Sequence, residues 1–284
     1  MIEKGSKVAI VCCSNALAAE QRSKIKQLEN ILKELGLVPV FSEYLYAEDS
    51  SFAGTGKERA ESLMNFYLDD DIRMIFDVSG GDMANEILPY LDFSVISQKE
   101  KSFWGYSDLT TVINAIYAKT GKTSVLYQIK NLIKEDGAGQ IERFSNTVLH
   151  GKEQLFSFAY ELVQKERMQG VVVGGNIRCL LKLAGTPYWP DMHRKILLLE
   201  SWRGLVPQMV TYLSQLRQLG VFDQINGILL GTFTQMQEEG IRPSVEELVK
   251  QYAGPELPIA KTEEIGHGAD SRGILIGKEI CLKK

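Results

Sequence analysis

Four short stretches of this sequence pair a reactive or ionisable group with a place to use it. The first is Trp104-Gly105-Tyr106-Ser107-Asp108-Leu109-Thr110. Ser102 to Tyr106 can form a buried strand, and Val112, Ile113, Ile116 and Tyr117 fall on one face of a helix behind it, so Ser107 is predicted where strand turns into helix. Such a turn lifts a side chain above the carboxyl edge of a sheet and points the first free amides of the helix at whatever that side chain touches. An exposed hydroxyl beside backbone donors suits a nucleophile whose reaction passes through an oxyanion. The same residues suit a plain helix cap, because Ser and Asp are both preferred there.

The second stretch, Lys195 to Glu200, is an apolar strand that ends in a carboxylate and runs into Ser201-Trp202-Arg203-Gly204. An acid at a strand terminus either orients a base or serves the structure alone. The third, Ile265-Gly266-His267-Gly268-Ala269-Asp270-Ser271-Arg272-Gly273, sets an imidazole between glycines in an open loop, as a base or as a turn residue. His150 and His193 sit in charged contexts and read as solvated surface. The fourth is Ser79-Gly80-Gly81-Asp82 between a strand and a helix, where two glycines permit close backbone approach. A phosphate cradle, an oxyanion donor and simple turn chemistry capped by Asp82 all remain open. Dinucleotide and Walker spacings are missing.

The elements around these stretches alternate. Val8 to Cys13 reads as a strand, Ile25 to Leu35 as a helix stopping at Gly36, and Leu37 to Phe41 as a second strand that Pro39 confines to an edge. A loop over residues 46 to 56 leads to a helix from Lys57 to Leu68, then a strand from Arg73 to Val78 and a helix through Ala84, Ile87 and Leu88. Thr123 to Tyr127 gives a further strand. This spacing predicts parallel βαβ units and an α/β fold. Beyond Ile129 the pattern loosens, so residues 141 to 168 are expected to form a linker, with a helix between Val148 and Met168. It divides an N-terminal domain, residues 1 to 140, from a C-terminal one, residues 169 to 284. The second block predicts strands at Gly170 to Asn176, Lys195 to Glu200, Ile225 to Gly231 and Ile274 to Ile276. Its helices are predicted to Leu183, over Val206 to Leu219, and from Ser244 with Glu247 in a capping box.

Composition narrows the function classes. With 44% hydrophobic and 24% charged residues the chain is an ordinary globular protein. A net charge of -4 with interspersed signs gives no reason to expect nucleic acid or anionic lipid. The N-terminus shows no apolar signal region and no segment has the length of a membrane span, so a cytoplasmic protein is expected. Four cysteines, at 12, 13, 179 and 281, have neither disulfide-framework nor metal spacing.

Taken together, the four stretches resemble the serine peptidase family S66, the LD-carboxypeptidases and microcin C immunity peptidases. The likeness is carried by Ser79-Gly80-Gly81 with Leu88-Pro89-Tyr90-Leu91-Asp92, Gly105-Tyr106-Ser107-Asp108 with Asn114-Ala115-Ile116-Tyr117, Gly174-Gly175-Asn176, Leu183-Ala184-Gly185-Thr186-Pro187, Leu197 to Glu200, and Gly266-His267. The resemblance implies a flavodoxin-like (class I amidotransferase-like) N-terminal domain, a smaller mixed β/α C-terminal domain and a homodimer. It implies a Ser107-His267-Glu200 triad split across the domains, oxyanion donors at Asp108 and at Gly80 or Gly81, and no metal or cofactor. The implied substrate is a muropeptide tetrapeptide losing terminal D-Ala or, in the immunity branch, an aminoacyl or peptidyl nucleotide. Trp189 and Trp202 would then be placed to stack on a base, or equally to fill an interdomain contact. Tyr127-Gln128-Ile129 departs from the family, where a His-Gly-Pro type turn is usual. A cysteine-dependent amidotransferase is disfavoured, because no cysteine falls at the strand-to-helix turn. A non-catalytic binding relative is disfavoured by the intact Ser, Glu and His.

Overall fold

The protein is described by a computed structural model covering residues 2–47 and 50–284. The loop expected over 46 to 56 includes Glu48 and Asp49, which lie outside the described residues. Among the described residues, twelve strands form two six-stranded sheets. In chain order they are β1 (Lys7–Val11), β2 (Val38–Phe41), β3 (Ile72–Asp77), β4 (Ser102–Gly105), β5 (Ser124–Leu126), β6 (Glu161–Gln164), β7 (Arg167–Asn176), β8 (Lys195–Ser201), β9 (Gly227–Phe233), β10 (Ile259–Lys261), β11 (Ile274–Ile276) and β12 (Glu279–Lys283).

The first sheet has the order β11-β5-β4-β3-β1-β2, with β1 to β5 parallel and β11 antiparallel to β5. Its parallel part carries the 2-1-3-4-5 order of a flavodoxin-like sheet, whose ligands bind beyond the carboxyl ends near the switch between β1 and β3. Pro39 lies on β2, an edge strand, where a missing N–H costs no ladder bond. The second sheet runs β12-β7-β8-β9-β10-β6, with β7 to β10 parallel and both edges antiparallel. The fold is thus a two-sheet α/β architecture, as expected.

The helix Thr110–Thr120 joins the sheets. One apolar face was expected of it, yet every residue from Thr110 to Ile116 is buried, because the helix is wedged between the two layers. One apolar cluster accordingly holds Val112 and Leu126 together with Val172, Leu198 and Leu229. Asn114 fixes the docking with Nδ2 to Gly174 O at 2.9 Å and Gly174 N–H to its Oδ1 at 2.8 Å. Gly175 has φ +136°, and a Cβ there would lie 2.7 Å from Thr110 Oγ1, so only glycine lets helix and strand approach so closely.

The region after Ile129 differs from expectation. Its helix spans Gly137–Val148, not the interval from Val148 to Met168, and it buries Gln140, Phe144, Thr147 and Val148 at helical spacing. Residues 161 to 164 are a strand of the second sheet instead of linker chain.

Candidate active site

Ser107 follows β4 and Tyr106 and opens a 3-10 turn, Ser107–Leu109, that continues into the helix Thr110–Thr120. Its φ is +56°, a left-handed value that costs a non-glycine residue energy and persists only where the surroundings enforce it. Enforcement comes from both sides, since Trp104, Tyr106, Asp108 and Leu109 are all buried. The sharp strand-to-helix turn expected of a nucleophile is therefore present, with Ser107 itself half-buried on the wall of a cavity.

Asp108 does more than follow the serine. Its carboxylate is fully buried, accepts from Ser14 Oγ at 2.6 Å and Ala84 N–H at 2.8 Å, and pairs with Lys182 of the second domain. That leaves its backbone amide in the first turn, where helical amides have no partner within the helix. Gly80 and Gly81 line the same cavity. Their turn is held by buried Asp77, which accepts from the Ser79 and Cys13 amides at 2.7 and 2.8 Å. Burial pushes the Asp77 carboxyl up, and the hydrogen bonds from Ser79 and Cys13 oppose that rise. Gly81 has φ +124°, and any Cβ would strike the Asn15 side chain. Asp82 is not a helix cap; its amide donates to Asn15 Oδ1 at 2.8 Å and its carboxylate pairs with Arg178.

Glu200 ends the apolar run of β8 and is fully buried. Its Oε2 accepts from Tyr106 Oη at 2.9 Å and lies 2.8 Å from His267 Nδ1. The separation to Nδ1 is that of a hydrogen bond, although the ring N–H is not directed at the oxygen, so both ring nitrogens and Glu200 Oε1 lack a hydrogen-bond partner. Tyr106 fixes the carboxylate, and rotation of the imidazole about its own axis brings the Nδ1–H onto it. Burial beside Glu200 pushes the Tyr106 hydroxyl well above the usual tyrosine range, so it stays a proton donor.

Long-range contacts pin the His267 loop. Gln140 donates to the carbonyls of Ala269 and Ser271 at 2.9 and 3.0 Å and accepts from Tyr127 Oη at 2.8 Å. Ser271 Oγ closes the loop on Gly266 O at 2.7 Å. The His267 ring meets Tyr106 edge-on at 4.9 Å and lies nearly parallel to Trp202 at 5.9 Å.

Ser107, His267, Gly80, Gly81 and Trp202 thus border one cavity of about 730 Å3 at the carboxyl ends of both sheets, with Glu200 behind the histidine. Trp189 is not brought there; it packs half-buried against the hydrophobic core, which is where a flat apolar ring in a Pro-rich loop gains most. His150 and His193 are exposed, as expected. Tyr106, Arg178, Lys130 and Lys134 were not singled out as site residues, although Tyr106 adjoins the serine and Arg178 follows Gly174-Gly175-Asn176 closely. Among the described residues no cluster of three or more metal-ligating side chains occurs, and no helix is long and apolar enough to cross a membrane.

The chain is similar to known proteins over most of its length. The chain is 25% identical to the murein tetrapeptide carboxypeptidase of Pseudomonas aeruginosa over 98% of its own length and 93% of the relative's. It is 26% identical to the microcin C7 self-immunity protein MccF of Escherichia coli, over 81% of this chain and 76% of that one. MccF in complex with aspartyl sulfamoyl adenosine superposes with a TM-score of 0.88 at 20% identity, covering 100% and 94% of the two chains. The muramoyltetrapeptide carboxypeptidase of Oxalobacter formigenes gives 0.78 at 21% identity, covering 98% and 95%. Residues 8–127 match the LD-carboxypeptidase N-terminal domain and residues 169–282 the C-terminal domain, in that order, and the chain therefore belongs to the LD-carboxypeptidase family of serine peptidases, S66.

Proposed function

We propose that the protein hydrolyses the bond to the terminal D-Ala of muropeptide tetrapeptides, with Ser107, His267 and Glu200 as its triad. The observation that carries this reading is His267 itself. Its Nδ1 abuts a fully buried carboxylate at 2.8 Å, while Nε2 is buried without a partner in the wall of the cavity that Ser107 also borders. An unpartnered imidazole nitrogen costs energy, and a proton acceptor for the serine is the use that offsets it.

In this mechanism the Ser107 hydroxyl attacks the carbonyl of the diamino acid and His267 Nε2 takes its proton. Glu200 holds the imidazolium through Nδ1, and Tyr106 keeps that carboxylate oriented. The oxyanion receives the amides of Asp108 and of Gly80 or Gly81, each donor of this type contributing about 3–4 kcal/mol. His267 then passes its proton to the leaving amine, freeing D-Ala. Water, deprotonated by the same imidazole, cleaves the acyl-serine and releases the tripeptide. On this reading residues 1 to 140 form the domain that carries the nucleophile and 169 to 284 the one that carries the acid and base, with β11 of the second block completing the first sheet. A cytoplasmic homodimer is the setting we favour on the family likeness, testable by fractionation and native mass spectrometry.

A second reading is cleavage of aminoacyl or peptidyl nucleotides, as the likeness to MccF suggests. Trp202 favours it, being a flat aromatic ring 52% exposed at the cavity wall. Mass spectrometry of the purified protein with an L-Ala-γ-D-Glu-diamino acid-D-Ala tetrapeptide, and separately with aspartyl sulfamoyl adenosine, distinguishes the readings. Loss of one alanine supports the first. Release of aspartate from the adenosine alone would refute it in favour of the second.

A further inference from the structure

The cavity carries two cations without a counter-ion. Lys130 lies in the 3-10 turn Ile129–Ile133 that follows β5, Lys134 is the residue just past that turn, and both border the cavity. Among the described residues neither has a carboxylate within ion-pair distance. The other cations there are engaged, Arg178 with Asp82 and Arg203 over the Trp202 ring at 4.4 Å. Lys130 is half-buried, and burial pulls its ammonium below the ordinary lysine range although Asp77 and Cys12 oppose the fall. Surface lysines left to water are common, but a half-buried, unpaired ammonium in a reaction cavity is costly unless an anion arrives.

Resting on the proposed carboxypeptidase reaction, we propose that Lys130 and Lys134 form the subsite that receives the free C-terminal carboxylate of the leaving residue. Lys134 Nζ lies 3.4 Å from the His267 carbonyl oxygen, beside the residue proposed to protonate the leaving amine. In an α-amino acid that amine and its carboxylate are separated by a single carbon. A cation next to His267 is therefore within reach of the anion that distinguishes a chain end from an internal bond.

The test compares the tetrapeptide as free acid with its C-terminal carboxamide. By calorimetry, full-length Ser107→Ala protein binds the acid about 10- to 100-fold more tightly, as a charge-assisted pair implies. Adding Lys130→Met and Lys134→Met brings the two ligands within about 3-fold, while Lys130→Arg with Lys134→Arg keeps the preference. In otherwise wild-type protein the Met pair lowers kcat/KM by about 30-fold for the acid and by less than about 5-fold for the carboxamide. Equal binding of acid and carboxamide to Ser107→Ala, or a preference that survives the Met pair, overturns the proposal. A second set of peptides with L-lysine or meso-diaminopimelate as third residue separates the two carboxylates. If the Met pair abolishes only a diaminopimelate preference, the lysines serve that side-chain carboxylate and the proposal is wrong. Absence of tetrapeptide turnover by wild-type protein would sink the carboxypeptidase reading, and the binding comparison, which needs no turnover, would still decide the subsite.

Discussion

Replacing Gln140 by Ala frees the His267 loop from the domain that carries Ser107. Gln140 is fully buried and makes three hydrogen bonds of 2.8 to 3.0 Å, two to the His267 loop and one to Tyr127 at the end of β5. The substitution leaves two carbonyls and a hydroxyl without partners in a dry interface, each worth ~1–3 kcal/mol before water reaches any of them. Allowing one to be rehydrated by loop movement gives a loss of about 2–6 kcal/mol. For a chain of this length, ~2–4 °C per kcal/mol makes the fall in Tm about 4–24 °C. The loop that moves carries His267, so kcat should also drop at temperatures where the variant is fully folded. Differential scanning calorimetry and tetrapeptide turnover at 20 °C measure the two effects. A variant with Tm within 1 °C of wild type and undiminished kcat would refute the idea that Gln140 positions the base.

Three further outcomes are expected. Asn114→Ala removes the donor and acceptor that hold Gly174 and should cost about 2–4 kcal/mol in denaturant unfolding; a change below 0.5 kcal/mol would mean the sheets dock without it. Tyr106→Phe deletes the 2.9 Å bond to Glu200 and, as a hydrogen bond to a charged group, should lower kcat by roughly 10- to 100-fold with folding retained; unchanged turnover would leave Tyr106 only a packing role. Burial pushes the Cys12 thiol up to about 12 and raises Cys13 and Cys179 as well, so at pH 8 these stay protonated below their shifted values. Ellman's reagent should then titrate the exposed Cys281 in native protein and all four thiols after denaturation, and rapid native reaction at Cys12 would revive a thiol nucleophile.

The parts of the site that were legible in the sequence are those where an apolar run ends abruptly in one polar residue. Ser107 after β4 and Glu200 at the end of β8 are of this kind, because a polar residue closing an unbroken apolar run marks where the chain leaves the core. Local signals also served well at Pro39 on the edge strand and at Ser244 with Glu247, whose reciprocal capping bonds are present. Contacts between distant segments were not legible. β11 returns from the C-terminal block to pair antiparallel with β5, and β12 pairs with β7, through registers that no local pattern encodes. Gly137 and Gly139 made a helix read as loop, yet its buried face anchors the His267 loop through Gln140. Trp202 and Trp189 look alike in sequence, and only packing sends one to the cavity and the other to the core. Lys130 and Lys134 read as ordinary charges in a loose segment until the fold turned them toward the cavity.

The proposed triad requires that Ser107 take up the acyl group of the cleaved peptide bond with His267 driving the step. The most direct measurement is turnover of the free-acid tetrapeptide by wild type, Ser107→Ala and His267→Ala, followed by mass spectrometry of both peptide and protein. The account predicts loss of a single alanine by wild type only, a transient tripeptidyl adduct mapping to Ser107 on rapid acid quench, and two folded variants with turnover reduced by at least about 10³-fold. Alanine release by Ser107→Ala at a rate near that of wild type would contradict it.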